Sequence, residues 1–234
     1  GVFEPCKVLN KIFPYLLGEV REGRSAAYLD ELAGILCKQH KVEPAFLGLY
    51  EFPSTVCVSV NNELAHGLPT PDKVFKQGDL VKVDFGVKKD GYFSDCARSI
   101  IVGNSNKKAL KLVKAVRKIF NAGLEVAWPD MLSTDITLNM MLKAQEEDVH
   151  IFDGFCGHTI GKKLHDGEII PNSGPWNNIR IFTLKEGDLI CIEPIIGLKH
   201  TLVQLKDDKF TFVTDNDNLA AHYENTILIT KNII

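Results

Sequence analysis

The stretch from Leu80 to Val102 constrains the fold more than any other part of the chain. Leu80, Val81, Val83, Phe85 and Val87 lead to Lys89-Asp90-Gly91, and Tyr92, Phe93, Ile100, Ile101 and Val102 follow it. An Asp-Gly step between two β-rich runs supplies the left-handed residues of a tight antiparallel turn, so it predicts a β-hairpin. Each arm carries an acid among apolar neighbours: Asp84 between Val83 and Phe85, and Asp95 just beyond Phe93. A carboxylate on a half-buried strand is costly unless it is paired or bound to a metal. The plainer alternative is that both face solvent, the commoner case for any one pair in a chain with 30 acidic residues.

The flanks are helical, then β, then helical, then β again. Two helices are expected between about Lys7 and His40, broken over Gly18 to Gly23, with Ser25 as the N-cap of the second. From Pro44 to Leu68 the texture turns to β, with Val56, Val58 and Val60 alternating with Cys57 and Ser59. Ser105 to Val126 and Ser133 to Val149 read as a second helical pair, and strand and loop run from His150 to Ile234. Helices mixed with hairpins in this way predict an α+β fold around an antiparallel sheet, in one domain spanning residues 1–234.

Composition narrows the class. Apolar residues make up 45% and charged residues 24%, and the formal charge is only −3, which gives a nucleic-acid partner no electrostatic support. No apolar run approaches the roughly 18 residues of a membrane span. The six cysteines form no C-x-x-C pair, so free thiols in a reducing, cytoplasmic setting are expected. Gly1 to Pro5 holds neither an initiator methionine nor a signal-peptide pattern and reads as a trimmed start, which leaves room for a removed targeting segment.

Three more groups occur where a sequence should avoid them. His158 lies between Gly157 and Gly161, Glu193 ends the apolar run Leu189 to Ile192, and Glu224 precedes the strand-like Thr226 to Ile229. Taken singly, such a histidine is more often a hydrogen-bonded core residue than a ligand, whereas glutamate is almost never fully buried unpaired. Four carboxylates and one imidazole suit hard or borderline divalent ions, and bridging carboxylates suit two of them. Two ions that share a hydroxide supply a nucleophile at neutral pH and polarise a carbonyl, the chemistry of amide or phosphate-ester hydrolysis.

The order Asp, Asp, His, Glu, Glu resembles the metal-ligand set of the methionine aminopeptidases, which have the pita-bread fold, a curved antiparallel sheet covered by helices with pseudo-two-fold internal symmetry. Val56 to Asn61 followed by His66-Gly67-Leu68-Pro69 is similar to the family's pocket strand and histidine motif, and Gly78 to Asp84 with Asp90 to Asp95 to its first metal hairpin. Cys156-Gly157-His158, Ile192-Glu193-Pro194 and Tyr223 to Thr226 complete a likeness that begins near Lys7 and covers nearly the whole chain.

The resemblance implies two divalent ions, with manganese, iron, cobalt and zinc all left open. Asp84 would hold one, His158 and Glu193 the other, and Asp95 and Glu224 would bridge them. Glu193 would also exchange a proton with the bridging hydroxide, while His66 and His165 would contact substrate, one near the scissile amide nitrogen and the other near its carbonyl oxygen. Leu49, Phe52, Cys57, Leu164 and Phe210 would line the methionine pocket, with His66 at its edge and His165 beside it. The substrates implied are nascent polypeptides beginning with methionine, met by a monomer. The lysines at 107, 108, 111 and 114 read as the solvated face of a helix, with a transient ribosome contact as the alternative.

Thr159, Asn225 and the stretch Leu164-His165-Asp166-Gly167-Glu168 depart from the family pattern. The interval between His158 and Glu193 is too short for the insertion of type 2 members, so type 1 is the nearer likeness. A non-catalytic relative should have lost ligands, and an X-Pro peptidase of this fold usually carries a large additional N-terminal domain. His40, His150, His200 and His222 read as surface or local hydrogen-bonding groups.

Overall fold

The computed structural model describes residues 3–104, 106–176, 179–215 and 218–231. Two helices open the chain, α1 (Phe3–Gly18) and α2 (Ala26–His40), followed by the short strands β1 (Glu43–Pro44), β2 (Cys57–Val60) and β3 (Glu63–Ala65). The hairpin β4 (Leu80–Lys89) and β5 (Tyr92–Ile101) leads into α3 (Lys107–Leu124) and α4 (Ser133–Glu146). Nine short strands follow: β6 (His150–Ile151), β7 (Cys156–His158), β8 (Ile169–Pro171), β9 (Leu189–Ile192), β10 (Ile195–Gly197), β11 (Gln204–Leu205), β12 (Phe212–Val213), β13 (Ala220–His222) and β14 (Glu224–Leu228).

Local chemistry accounts for most boundaries. Ser25 caps α2 by accepting from the Tyr28 N–H at 3.3 Å, as its position before an apolar helical stripe requires. Helix α1 begins at Phe3, earlier than expected, with Pro5 in the first turn where a missing N–H costs nothing. Ser105 lies outside the described residues, and α3 is capped by Asn106, whose Oδ1 accepts from Ala109 N at 2.8 Å. Helix α4 stops at Glu146, short of the expected Val149. Asp148 takes φ 51°, Val149 N bonds back to Ala144 O at 3.1 Å, and the chain leaves as β6.

The main sheet runs β1-β4-β5-β14-β9, with β2 pairing the other part of β4. All its pairings are antiparallel. Helices α1 and α2 pack an apolar face, including Leu9, Ile12, Leu29 and Ala33, on Val81, Val83 and Phe85 of β4. Helices α3 and α4 cover β9, β10 and β13 through Leu112, Ile119, Ile136, Ile190 and Ile196. A helix pair over antiparallel strands thus occurs twice, and β14 joins the two halves by pairing with both β5 and β9. Among the described residues no helix is long and apolar enough to cross a membrane.

Candidate metal centre and substrate cavity

Strand register brings the acids together. Asp84 lies opposite Ala97 and Gly86 opposite Asp95, so both carboxylates project from the same face of the hairpin. Glu224 also pairs with Ala97, from the neighbouring strand, and Cys57 lies opposite Asp84 from β2. Glu193 follows directly on β9, and His158 ends β7. The solvent-facing alternative for the hairpin acids is therefore excluded: Asp95 is 4% exposed, and Asp84, though half-buried as a residue, has its Oδ1 buried.

Backbone contacts fix each donor. Thr226 Oγ1 accepts from Asp95 N at 2.8 Å and donates to Asp95 O at 3.1 Å. Arg98 donates to Glu224 O at 2.6 Å and to Asn225 Oδ1 at 2.8 Å, so Asn225 serves to hold the arginine that ties down Glu224. Asn172 donates to Glu193 O at 3.0 Å. His158 Nδ1 bonds to Thr159 O at 3.1 Å, which leaves its Nε2 lone pair facing Glu193 Oε1 at 3.5 Å.

The electrostatics are those of a site built for cations. Burial, and then the charge of Asp95, pushes Asp84 well above the usual carboxylate range. Burial raises Asp95 to about 7. Glu193 and Glu224 are raised by burial and then by the other carboxylates. Asp84 Oδ1 and Asp95 Oδ1 are buried with no hydrogen-bond partner among the described residues. Four such carboxylates repel one another unless protons or metal ions lie between them. Burial lowers His158 to about 4, so its imidazole is neutral and able to ligate. The residues present fit divalent ions.

Two residues join this centre that the sequence reading set aside. Donor atoms of Asp84, His222 and Glu224 lie within 4.8 Å of one another, as do those of His158, Cys191 and Glu224, so Glu224 stands in both groups. His222 is buried, and its Nε2 lies 3.8 Å from Glu224 Oε2 with no hydrogen-bond partner among the described residues, which corrects its expected role as a surface or local hydrogen-bonding group. Burial lowers it to about 3, and the charges of His66 and Lys82 act in the same direction. Cys191 is held as a thiol by burial and lies 3.6 Å from Thr226 Oγ1. The available signal was spacing: His222 and Glu224 are two apart, as residues on one face of a strand are.

Above the carboxylates lies a cavity of about 200 Å³ lined by Leu49, Phe52, Cys57, Leu164 and Phe210, with His66 and His165 also in its wall. Phe46 and Tyr50 complete the lining and were missed. Phe52 meets Phe210 edge-on, with ring centroids 5.5 Å apart. His66 takes φ 53° ahead of Gly67, where a Cβ would fall 2.3 Å from Val58 O, so only glycine lets this turn close on β2. Burial lowers both cavity imidazoles, and the charge of His165 lowers His66 further.

A second depression, of about 700 Å³, is bounded by Tyr92, Thr159, Arg180 and Lys185 and contains the Arg180–Glu168 ion pair at 2.8 Å. Neither His158 nor any of the four raised carboxylates lines it.

Residues 4–231 match metallopeptidase family M24. The methionine aminopeptidase of Clostridium perfringens is 36% identical over 227 residues, covering 97% of this chain and 90% of that protein. The crystal structure of the methionine aminopeptidase from Thermotoga maritima superposes with a TM-score of 0.93 at 30% identity, covering 99% of this chain and 92% of that one. The prolidase from Pyrococcus furiosus shares the fold at a TM-score of 0.76 and 24% identity, but this chain covers only 60% of it. The chain belongs to metallopeptidase family M24 and, within that pita-bread family, to the methionine aminopeptidases.

Proposed function

We propose that this chain hydrolyses the first peptide bond of nascent polypeptides and releases their N-terminal methionine, as one catalytic domain holding two divalent ions. The observation that carries the reading is a single cavity with four raised carboxylates and a neutral His158 at its floor and apolar side chains on its walls. Asp84 would hold one ion, His158 and Glu193 the other, and Asp95 and Glu224 both; Glu224's membership of both close donor groups supports the bridging role. Bound ions supply Lewis acidity and an activated water at neutral pH.

The remaining roles belong to the protein. Glu193 takes up and returns the proton at its carboxylate, for which a raised affinity for protons suits it. His66 and His165, both neutral, donate hydrogen bonds, His66 near the scissile nitrogen and His165 at the carbonyl oxygen, where negative charge develops. The cavity's apolar walls admit methionine and exclude charged first residues, which would have to shed their water. Six unpaired cysteines support a cytoplasmic location, and the exposed Lys107, Lys108 and Lys114 would make any contact with the ribosome.

Met-Ala-Ser and Ala-Pro-Ala, incubated in parallel with added divalent metal, test the reading. Release of methionine from the first, its loss on chelation and little cleavage of the second are expected. Preferential cleavage of Ala-Pro-Ala would replace it with an X-Pro activity, and cleavage of neither with a binding role.

A further inference from the structure

Tyr50 is a large side chain that the fold leaves 74% exposed, yet its backbone is tightly specified. Gly48 takes φ 84°, and the adjacent Tyr50 and Glu51 take φ 49° and 66°. L residues rarely adopt this left-handed region, and two in succession are rarer still. Three backbone hydrogen bonds close the turn: Gly48 N to Phe52 O at 2.8 Å, Leu49 N to Phe46 O at 2.9 Å and Phe52 N to Leu49 O at 2.9 Å. Burial of Tyr50 does not repay the strain. The turn instead brings its ring nearly parallel to that of His165, at 9° with centroids 5.8 Å apart, and its hydroxyl to 3.4 Å from His165 Nδ1. Strain held at a cavity wall, on a residue that gains no burial, points to function.

We propose that Tyr50 is a positioning residue: its hydroxyl donates to Nδ1 of His165 and so fixes the tautomer that carries its hydrogen on Nε2. The proposal rests on the substrate contact assigned to His165 above. A neutral imidazole has one N–H, and the partner of one nitrogen decides which nitrogen bears it. His158 meets His165 edge-on at 4.5 Å, but its Nδ1 is engaged with Thr159 O and its Nε2 faces Glu193 Oε1, so it does not take Tyr50's place. Without the hydroxyl both tautomers of His165 compete, and part of the population offers the substrate oxygen a lone pair in place of a donor.

Tyr50→Phe keeps the ring and removes the bond. With Met-Ala-Ser its kcat should fall about tenfold while KM stays within about twofold and metal content is unchanged. In a His165→Ala background the same change should cost nothing further, because the residue it acts through is gone. Imidazole ¹⁵N spectra of the zinc-loaded protein give a readout independent of turnover. His165 should carry hydrogen on Nε2 in the parent and on both nitrogens by turns in Tyr50→Phe. A kcat within about twofold of the parent, an equal loss in the His165→Ala background, or hydrogen on Nδ1 of the parent would overturn the proposal. A parent that does not hydrolyse Met-Ala-Ser would remove the methionine reading, and the nitrogen spectra would still decide the tyrosine–histidine assignment.

Discussion

The floor of the cavity and its rim are built by opposite means. Three floor acids, Asp84, Asp95 and Glu224, sit on paired strands of one sheet, and Glu193 follows the last of its strands. Apart from Cys57 on β2, the rim residues come from irregular chain: Leu49 and Phe52 flank the left-handed turn, Leu164 and His165 lie between β7 and β8, and Phe210 lies between β11 and β12. Paired strands set spacing through backbone hydrogen bonds that do not depend on side-chain identity, so they can hold mutually repelling charges at fixed separation. A loop wall has no such constraint and can change shape without disturbing the floor. The departures at Leu164 to Glu168 fall on the rim, whereas all five expected ligands are present below it.

If this division holds, changes at the floor should be far more damaging than changes at the rim. The largest effect is expected for Asp95→Ala or Glu224→Ala, each of which removes a carboxylate that the proposed centre would share between both ions. Turnover of Met-Ala-Ser should fall at least about 10³-fold, roughly 4 kcal/mol of barrier. Metal content by elemental analysis should fall with it; near-normal turnover in a metal-checked sample would break the comparison at its strongest point.

Glu193→Gln comes next, since an amide is the same size but neither carries the proton nor neutralises metal charge. A folded protein with turnover reduced about 100-fold is expected, and a variant within about tenfold, some 1.4 kcal/mol, would remove the proton role.

The floor also predicts an inverted pH dependence of stability in the chelated protein. Carboxylates titrate near 4 when unfolded, whereas in the fold Asp95 is raised to about 7 and Asp84, Glu193 and Glu224 are raised as well. Above about 6.5, where unfolded imidazoles are neutral too, these acids make the folded state bind more protons than the unfolded one, so stability is lost as pH rises through the folded values; below it the lowered His158 and His222 offset part of the gain. Thermal unfolding of chelated protein should therefore show a lower Tm at about pH 8 than at about pH 6.5, and divalent metal should abolish the difference. A chelated Tm that rises with pH over this range would mean that the acids are already paired without metal.

The smallest effect belongs to the rim. Leu164→Phe adds a ring to the cavity wall and should change selectivity between Met-Ala-Ser and its norleucine or valine counterparts by only about 1–3 kcal/mol, favouring the unbranched side chains. A loss of metal or of overall turnover comparable with the floor variants would show that rim and floor are not separable.

Much of this was legible because it is local. Asp90-Gly91 specified the turn of β4 and β5, period-two alternation placed the apolar face, and Ser25 marked the start of α2. The five expected ligands stood out because an acid or imidazole in an apolar setting has few inexpensive explanations. What the sequence did not disclose depends on long-range pairing or unusual backbone. His222 and Glu224 are neighbours in the chain, but only the pairing of β14 with β5 and of β5 with β4 brings the two to Asp84 and makes the imidazole part of the site. Cys191 reads as one more apolar residue of β9 until β14 is laid against it. Tyr50 and Glu51 are not residues whose chemistry signals a left-handed turn, so their conformation is imposed by closure of the loop between Phe46 and Phe52. Sequence by itself determined which groups were chemically out of place, because burial cost is a property of the residue and its near neighbours. Tertiary structure decided which of them meet, because distance between strands far apart in the chain is set by packing and register.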